Sequence, residues 1–308
     1  METSKIFYGS ADGESSVHAC VWKPVGDAEV KGIIQIVHNT SEHILRYVDF
    51  ARVMVSQGYI VCGNDHLGHG GSAGGRFGHI EHGGHKALAK DVHKLTTLMK
   101  REFDMPVVLL GIGTGSLIAR YVCAVWDMDY VAAAFSGTSG GSKGLSFLHR
   151  LFSNRKYIKK KQSNKEATWI GNQLEARFGK NFKHSDHGPS WRTRDVYQVA
   201  AFENDPLCGF AMTHSGYINI LRLNSLVNSK SWLMRMSLGK PIFLFSGLND
   251  PVGDFGKGVV KVYGDLMDAG YEKVQITLYQ NARHEMLFEL NRQEVYQDII
   301  KWVDGILG

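Results

Sequence analysis

A strand, a glycine-rich turn and a helix follow one another at residues 107–125, and this arrangement is the one that exposes a catalytic nucleophile on a tight turn. The apolar run 107–110 leads into Gly111-Ile112-Gly113-Thr114-Gly115. In the usual pattern, G-x-S-x-G, the middle position is a serine whose hydroxyl points away from the turn. Here that position is Gly113, which has no side chain and cannot attack a carbonyl carbon. The turn therefore predicts a nucleophile site without its nucleophile.

Two later loops carry the other residue types that such a site needs. Asp250 follows the apolar run 241–246, and His284 follows the run 274–279. Because the carboxyl ends of parallel strands meet at one edge of a sheet, we expect both side chains to lie near residue 113. The aspartate would hold one ring nitrogen of the histidine and leave the other as a base.

Short apolar strands alternate with helices over most of the chain, which predicts a mostly parallel sheet covered on both faces. The segment 137–238 interrupts this alternation and is rich in Lys, Ser, Asn and aromatic residues, which indicates an inserted helical cap. We therefore divide the chain into a first core part, 1–136, the cap, 137–238, and a second core part, 239–308. Strands are predicted at 17–24, 32–37, 59–63, 107–110, 131–135, 241–246 and 274–279, and helices at 50–57, 86–103, 116–125, 258–269 and 293–306.

Composition excludes several classes of protein. The 308 residues carry a net charge of +5, which is too small to indicate nucleic-acid binding. No apolar run reaches about 18 residues, and the first residues lack a basic start before an apolar core, so neither a membrane span nor a signal peptide is expected. Four cysteines lie far apart, as is typical of reduced thiols in a cytoplasmic protein. One basic run, 155–161, is either a solvated surface or a contact for an anionic membrane or a phosphorylated substrate.

Four motifs carry a resemblance that runs nearly from end to end. The chain resembles the monoacylglycerol lipase and lysophospholipase branch of the α/β-hydrolases, whose chain order of nucleophile, acid and histidine it shares. The resemblance implies a doubly wound sheet with a helical cap, Asp250 and His284 as acid and base, and no cofactor. It also implies an apolar pocket for esters of glycerol or lysophospholipids. The motifs are Val37-His38, Ser41-Glu42-His43 and Arg46-Tyr47 in the oxyanion loop, Asp65-His66-Leu67-Gly68-His69-Gly70-Gly71-Ser72 in a turn, Asp250-Pro251-Val252-Gly253, and Ala282-Arg283-His284-Glu285.

The departures from the family are clustered in two segments. Where the family has H-G and a hydrophobic residue, this chain has His38-Asn39-Thr40, and where it has G-H-S-M-G, this chain has Gly111 to Gly115. We interpret this as a pocket rebuilt by design or by natural repurposing. Gly113 is expected to relieve backbone strain and to leave a void beside His284, and Ile112 to make the local wall drier. Thr114 keeps a backbone N–H for an oxyanion hole, while Asn39 either donates to a substrate oxygen or fills space.

Other polar residues are weaker candidates for chemistry. Thr40, Thr114 and Ser116 are hydroxyl nucleophiles near the turn, and His214 would be a second acid or base if it faced the pocket. Cys208 is expected to be a buried structural thiol, and His66 and His69 to be structural. The fourteen histidines show no H-E-x-x-H spacing, so we predict no metal site.

Three functions are compatible with these residues. The first is a lipase-like esterase scaffold with weak or absent hydrolysis. The second is a catalyst of another reaction, with His284 as base or nucleophile, Asp250 orienting it and Asn39 as a hydrogen-bond donor. The third is a non-catalytic protein that binds lipid-like ligands. All three imply a small apolar partner, with membrane contact through the cap as a further expectation and the oligomeric state left open.

Overall fold

The computed structural model describes residues 1–26, 29–81, 83–141, 164–182 and 190–308. Within these ranges eight strands form one sheet in the order β1-β2-β4-β3-β5-β6-β7-β8. β1 and β2 run antiparallel, β2 is antiparallel to β4, and the remaining pairs are parallel. The predicted mostly parallel sheet is therefore confirmed. The strands are β1 (Glu2–Gly9), β2 (Ser16–Lys23), β3 (Gly32–Val37), β4 (Tyr59–Asn64), β5 (Val107–Ile112), β6 (Ala132–Ser136), β7 (Ile242–Gly247) and β8 (Val274–Tyr279).

Helices bury both faces of this sheet. Every residue of β3, β4, β5, β6 and β7 is buried, as expected for parallel strands between two helical layers. One apolar core joins the sheet to α2, α3, α6 and α8, and a second joins its other face to α1 and α9. Numbered over the described residues, the helices are α1 (Val48–Ser56), α2 (His85–Phe103), α3 (Thr114–Val125), α4 (Thr168–Gly179), α5 (Val196–Asn204), α6 (His214–Val227), α7 (Lys230–Leu233), α8 (Lys257–Asp268) and α9 (Arg292–Leu307).

The segment between β6 and β7 contains α4, α5, α6 and α7. Two of these helices begin at side-chain caps: Asp195 accepts from two backbone N–H groups of α5, and Thr213 accepts from one of α6. The exact division of the chain at 136 and 238 stays a prediction. The basic run 155–161 lies outside the described residues.

The first strand was not predicted from the sequence. Among the described strands β1 stands at the edge of the sheet, pairs only with β2, and leaves most of its side chains exposed. No helix in the described ranges combines the length and the apolar character that crossing a bilayer requires.

Candidate active site

Gly113 stands between the end of β5 and the start of α3. Its backbone has φ 53° and ψ −119°, a conformation that costs a non-glycine residue about 1–3 kcal/mol. Its N–H donates to the carbonyl of Ser136 across 2.9 Å. Gly115 lets α3 begin against β3, because a Cβ there would lie 2.0 Å from the carbonyl oxygen of Val37. Glycines at 113 and 115 thus let the chain make this tight turn without backbone strain or steric overlap.

The structure brings His284 and Asp250 together at the same edge of the sheet. Nδ1 of His284 donates to Oδ2 of Asp250 across 3.0 Å, and both residues are buried. The carboxylate is itself held: Oδ2 also accepts from the hydroxyl of Ser246 at 3.0 Å, and Oδ1 accepts from the N–H of Val252 at 2.8 Å. This pair has the arrangement of the acid and base of a hydrolase.

Two opposing effects act on His284. Burial disfavours the charged imidazolium, but the negative charge and hydrogen bond of Asp250 outweigh burial, and the pKa of His284 is raised. The ring is confined by Trp191, whose ring centroid lies 5.4 Å away. Gly137 also packs against the ring, since a Cβ on that glycine would lie 2.9 Å from Cε1. His284 therefore has a fixed position as well as a fixed tautomer.

The side chain of Asn39 fills the space that a residue 113 side chain would occupy. A Cβ on Gly113 would lie 2.4 Å from Oδ1 of Asn39 and 2.8 Å from its Nδ2. The expectation of a void beside His284 was wrong, because the two altered segments complement each other. The larger residue at position 39 takes up the volume lost at position 113.

Asn39 makes hydrogen bonds with two groups that a serine hydrolase uses for its nucleophile and for the substrate oxyanion. Its Oδ1 accepts from the N–H of Thr114 at 2.8 Å, and its Nδ2 donates to Nε2 of His284 at 3.3 Å. The orientation of the amide follows from its neighbours, since the Thr114 N–H can only donate and the bare Nε2 can only accept. The predicted half of an oxyanion hole at Thr114 is thus already occupied from within the protein.

The backbone of Asn39 is anchored by its neighbours. Its N–H donates to Oε1 of Glu42 at 2.8 Å, and its carbonyl accepts from Nδ1 of His38 at 2.6 Å. Nε2 of His38 in turn accepts from the N–H of His66 at 3.1 Å. The position of the amide is therefore set by buried contacts on both sides of the loop.

Comparison with known proteins identifies the family. The pattern of the serine aminopeptidase S33 family matches residues 28–291, which is most of the chain. The chain belongs to this S33 family. Over 294 residues it is 23% identical to a monoglyceride lipase homolog of Monkeypox virus, covering 93% of this chain and 94% of that protein. It is 25% identical over 293 residues to a monoacylglycerol lipase of Mycolicibacterium smegmatis, covering 92% and 91%.

Solved structures support the same assignment. A carboxyl esterase of Bacillus coagulans, crystallised with glycerol, superposes with a TM-score of 0.92 at 26% identity over 100% of both chains. A monoglyceride lipase of Saccharomyces cerevisiae superposes with a TM-score of 0.77 over 100% of this chain and 97% of that one, at 14% identity, and so shows the fold. The S33 chain therefore has the α/β-hydrolase fold and lies in the monoglyceride-lipase-like branch.

The other residues that were predicted to lie near the turn of this S33 chain differ in their positions and contacts. Oγ1 of Thr40 lies 3.4 Å from Oγ1 of Thr114, so the two hydroxyls meet beside Asn39. Ser116 is buried and its hydroxyl donates to the carbonyl of Gly113 at 2.5 Å. Ile112 is 2% exposed and packs into the core between the sheet and α1 and α9, rather than drying the pocket wall.

In the cap, one prediction needs revision and another stays open. Cys208 was expected to be a buried structural thiol, but it is half-buried and lines a cavity of about 820 Å³. The ring of His214 donates from Nδ1 to the carbonyl of Lys165 at 3.1 Å. A role for His214 as a second acid or base stays a prediction.

Sequence reasoning missed two residues that position the histidine. Trp191 lies in the cap, 93 positions before His284, and no pattern indicates their contact. Ser246 stands four positions before Asp250, at the end of the predicted strand, which was a usable signal for a supporting hydroxyl.

Proposed function

We propose that this chain binds a lipid of the monoacylglycerol class without hydrolysing it. The observation that supports this proposal most directly is the position of the Asn39 side chain, which contacts both Nε2 of His284 and the N–H of Thr114. Hydrolysis by a serine enzyme needs a nucleophile, a base with a free lone pair and an oxyanion donor. Gly113 supplies no nucleophile. Asn39 already bonds the lone pair of the base, Nε2 of His284, and the oxyanion donor, the N–H of Thr114.

The lipid class rests on the relatives and on a cavity beside the site. The two relatives that match over more than 90% of both chains are named as a monoglyceride lipase homolog and a monoacylglycerol lipase. The cavity of about 820 Å³ has Trp191 and Phe202 in its wall, and Trp191 also contacts His284. Gly209 also lines this cavity, and its N–H donates to the carbonyl of Ser41 at 2.9 Å. Ser41 lies in the same loop as Asn39. A volume of this size fits a small-molecule ligand.

A second candidate is a catalyst of a different reaction, in which His284 serves as base or nucleophile. The intact pair of His284 and Asp250, 3.0 Å apart, favours it. Reaction would require Asn39 to withdraw from Nε2 and serve as a donor to the substrate. A general base of this kind typically contributes about 10²–10⁴-fold.

The decisive test compares hydrolysis of a monoacylglycerol by the native chain, by Gly113→Ser, and by Gly113→Ser combined with Asn39→Gly. We expect the first two to be inactive, because Asn39 stands where the Cβ of a serine must go. The double variant restores the nucleophile and frees His284, so it alone should gain activity. Turnover by the native chain that His284→Ala abolishes would instead support the second candidate.

Binding is measured separately with a monoalkylglycerol ether, which no hydrolase cleaves. The native chain should bind it, and Phe202→Asp, which places a charge in the cavity wall, should weaken binding at least tenfold. An exposed substitution away from the cavity, Met128→Asp, is the matched control. If the native chain does not bind the ether, the binding proposal fails while the hydrolysis comparison keeps its meaning.

We also propose that the cap touches lipid surfaces at the start of α5. Val196 and Tyr197 are 54% and 83% exposed, and Val196 also lines the cavity. Such exposed apolar side chains favour an interfacial position. Replacing both with serine should lower co-sedimentation with phosphatidylcholine vesicles several-fold, while Met128→Ser, at an 87% exposed methionine outside the cap, should not. Equal sedimentation of all three proteins would refute the contact.

A further inference from the structure

Three metal-ligating side chains meet outside the His284 site. His43 lies in the loop after β3, and Asp205 and Cys208 lie in the loop after α5. Nε2 of His43 is 2.8 Å from Oδ2 of Asp205. One donor atom from each of the three residues lies within 4.8 Å of the others. The fold thus brings together one nitrogen, one oxygen and one sulfur donor from segments 162 positions apart.

We propose that His43, Asp205 and Cys208 bind a thiophilic divalent cation such as Zn²⁺. This donor set is typical of zinc, which takes imidazole, carboxylate and thiolate ligands in combination. Three protein donors leave a further coordination position, as in zinc sites that also bind water or a small molecule. Cys208 lies in the wall of the cavity of about 820 Å³, so a cation and a small ligand both have access to this position.

The donors are held in place before any cation arrives. His43 is 6% exposed, and the Oδ1 atom of Asp205 accepts from the N–H of Leu207 at 2.8 Å, which leaves Oδ2 for the site. The N–H of Gly209 donates to the carbonyl of Ser41 at 2.9 Å and so ties the two donor loops to each other. A site with donors fixed in this way loses little conformational entropy on binding a cation.

The imidazole of His43 is available for coordination through Nε2. Its Nδ1 atom is buried and has no hydrogen-bond partner among the described residues. Without a cation, Nε2 donates its proton to Oδ2 of Asp205 at 2.8 Å, so coordination through Nε2 requires that the ring proton move to Nδ1. Asp205 is itself a ligand of the proposed site, so its Oδ2 exchanges this hydrogen bond for the cation.

Cys208 completes the donor set with sulfur. The thiolate is the form of cysteine that binds a metal, and a divalent cation supplies the positive charge that stabilises it. On binding, the S–H bond breaks, sulfur donates its electron pair to the metal, and the proton goes to solvent.

The experiment titrates Co²⁺ into the full chain after treatment with a chelator, and Zn²⁺ is then added. We expect one equivalent of Co²⁺ to give a thiolate-to-cobalt charge-transfer absorption, which Zn²⁺ abolishes by displacement. Cys208→Ala should remove the absorption, and Asp205→Asn should weaken Co²⁺ binding at least tenfold. Circular dichroism before titration establishes that each variant is folded.

Cys123→Ala is the matched control, because Cys123 is a free thiol buried in the main core, away from the proposed site. Its absorption and affinity should equal those of the native chain. Absence of the charge-transfer absorption in the native chain would overturn the proposal, as would its persistence in Cys208→Ala. Neither readout depends on hydrolysis or on lipid binding, so the result stands apart from the proposed function.

Discussion

Nδ2 of Asn39 donates a hydrogen bond to Nε2 of His284 across 3.3 Å, while Asp250 accepts from the opposite ring nitrogen at 3.0 Å. Both nitrogens of the histidine are therefore bonded inside the protein. In a serine hydrolase, Nε2 receives the proton of the nucleophile. Here Nδ2 of Asn39 takes the place of that hydroxyl, and it favours the neutral imidazole because an amide NH2 group can only donate.

Removing the amide should change the titration of His284. The Asp250 charge already raises its pKa against the effect of burial, and the Nδ2–H bond opposes protonation. Replacing Asn39 with alanine should therefore raise the pKa of His284 further, because the bond that opposes protonation is lost. The measurement is an NMR titration of the ring Cε1–H.

Thr40→Ala is the control for that titration. Thr40 is next to Asn39 and contacts Thr114, but it has no bond to the His284 ring among the described contacts. Its removal should leave the titration unchanged. A pKa of His284 that stays constant or falls in Asn39→Ala would show that the amide does not hold the neutral ring.

The pairing of positions 39 and 113 should appear as an energetic coupling. Gly113→Ala adds a Cβ 2.4 Å from Oδ1 of Asn39, on a backbone with positive φ. We expect a loss of about 1–3 kcal/mol in the free energy of unfolding from backbone strain, with the contact adding to it. In the Asn39→Gly variant this contact is absent. The loss of unfolding free energy that Gly113→Ala causes should therefore be smaller there by about 0.5–3 kcal/mol. Urea denaturation of the four proteins completes the cycle.

Gly264→Ala controls for the general effect of adding a methyl group. Gly264 lies within α8, and a Cβ there meets nothing within 4 Å. The substitution should stabilise the protein by about 0.5–1 kcal/mol, since alanine is the better helix former. Strictly additive costs at positions 39 and 113 would mean that the two altered segments do not compensate each other.

The sheet was predictable because its strands are short apolar runs bounded by turns. The run 274–279 coincides with β8, and 32–37 coincides with β3. The helix at 116–125 was placed two residues late, because Thr114 and Gly115 were assigned to the turn although α3 begins there. β1 was missed since its residues are mostly polar and exposed, so hydrophobic periodicity does not mark it.

The chemistry of the site was only partly predictable. Strand ends place Asp250 and His284 at one edge of the sheet, and their order along the chain is informative. The direction of the Asn39 side chain could not be predicted, because it depends on a contact with His284, which lies 245 positions later in the chain. The same limit applies to the group formed by His43 and Asp205, which no local spacing indicates.

A buried ion cluster should contribute strongly to stability. Arg46 donates to Glu42 and, at 2.9 Å, to Glu285, and all three side chains are at most 8% exposed. Arg46→Ala would leave two carboxylates buried without their shared cation, so we expect a loss of about 3–5 kcal/mol. Urea denaturation at constant pH measures it.

Arg52→Ala is the matched control for the ion cluster. Arg52 pairs with Asp49 at 2.6 Å, but both side chains are more than 60% exposed. An exposed pair of this kind contributes at most about 1 kcal/mol. Equal losses for the two variants would contradict the assigned difference between buried and surface pairs.

Acid should destabilise the protein through its buried histidines. The rings of His38 and His66 stack with centroids 3.9 Å apart. Burial lowers the pKa of His66 to about 3 and of His69 to about 4, and the neighbouring His69 adds to the effect at His66. His66 and His69 are thus neutral in the folded chain, whereas in the unfolded chain they are protonated below about pH 6.5. Stability should therefore fall as pH drops from 6.5, by about 1–2 kcal/mol per histidine at pH 5.

His18 acts in the opposite direction. Its hydrogen bond to Asp65 raises its pKa to about 9, so its contribution to stability is complete below about pH 6.5 and is lost as pH rises toward 9. Together these groups predict a maximum of stability near neutral pH. Urea denaturation at pH 5, 7 and 9 tests this, and His69→Gln should flatten the acid limb because one buried proton acceptor is removed. Equal free energies of unfolding at pH 5 and pH 7 would contradict this prediction. They would mean that burial does not oppose protonation of these rings in the folded chain.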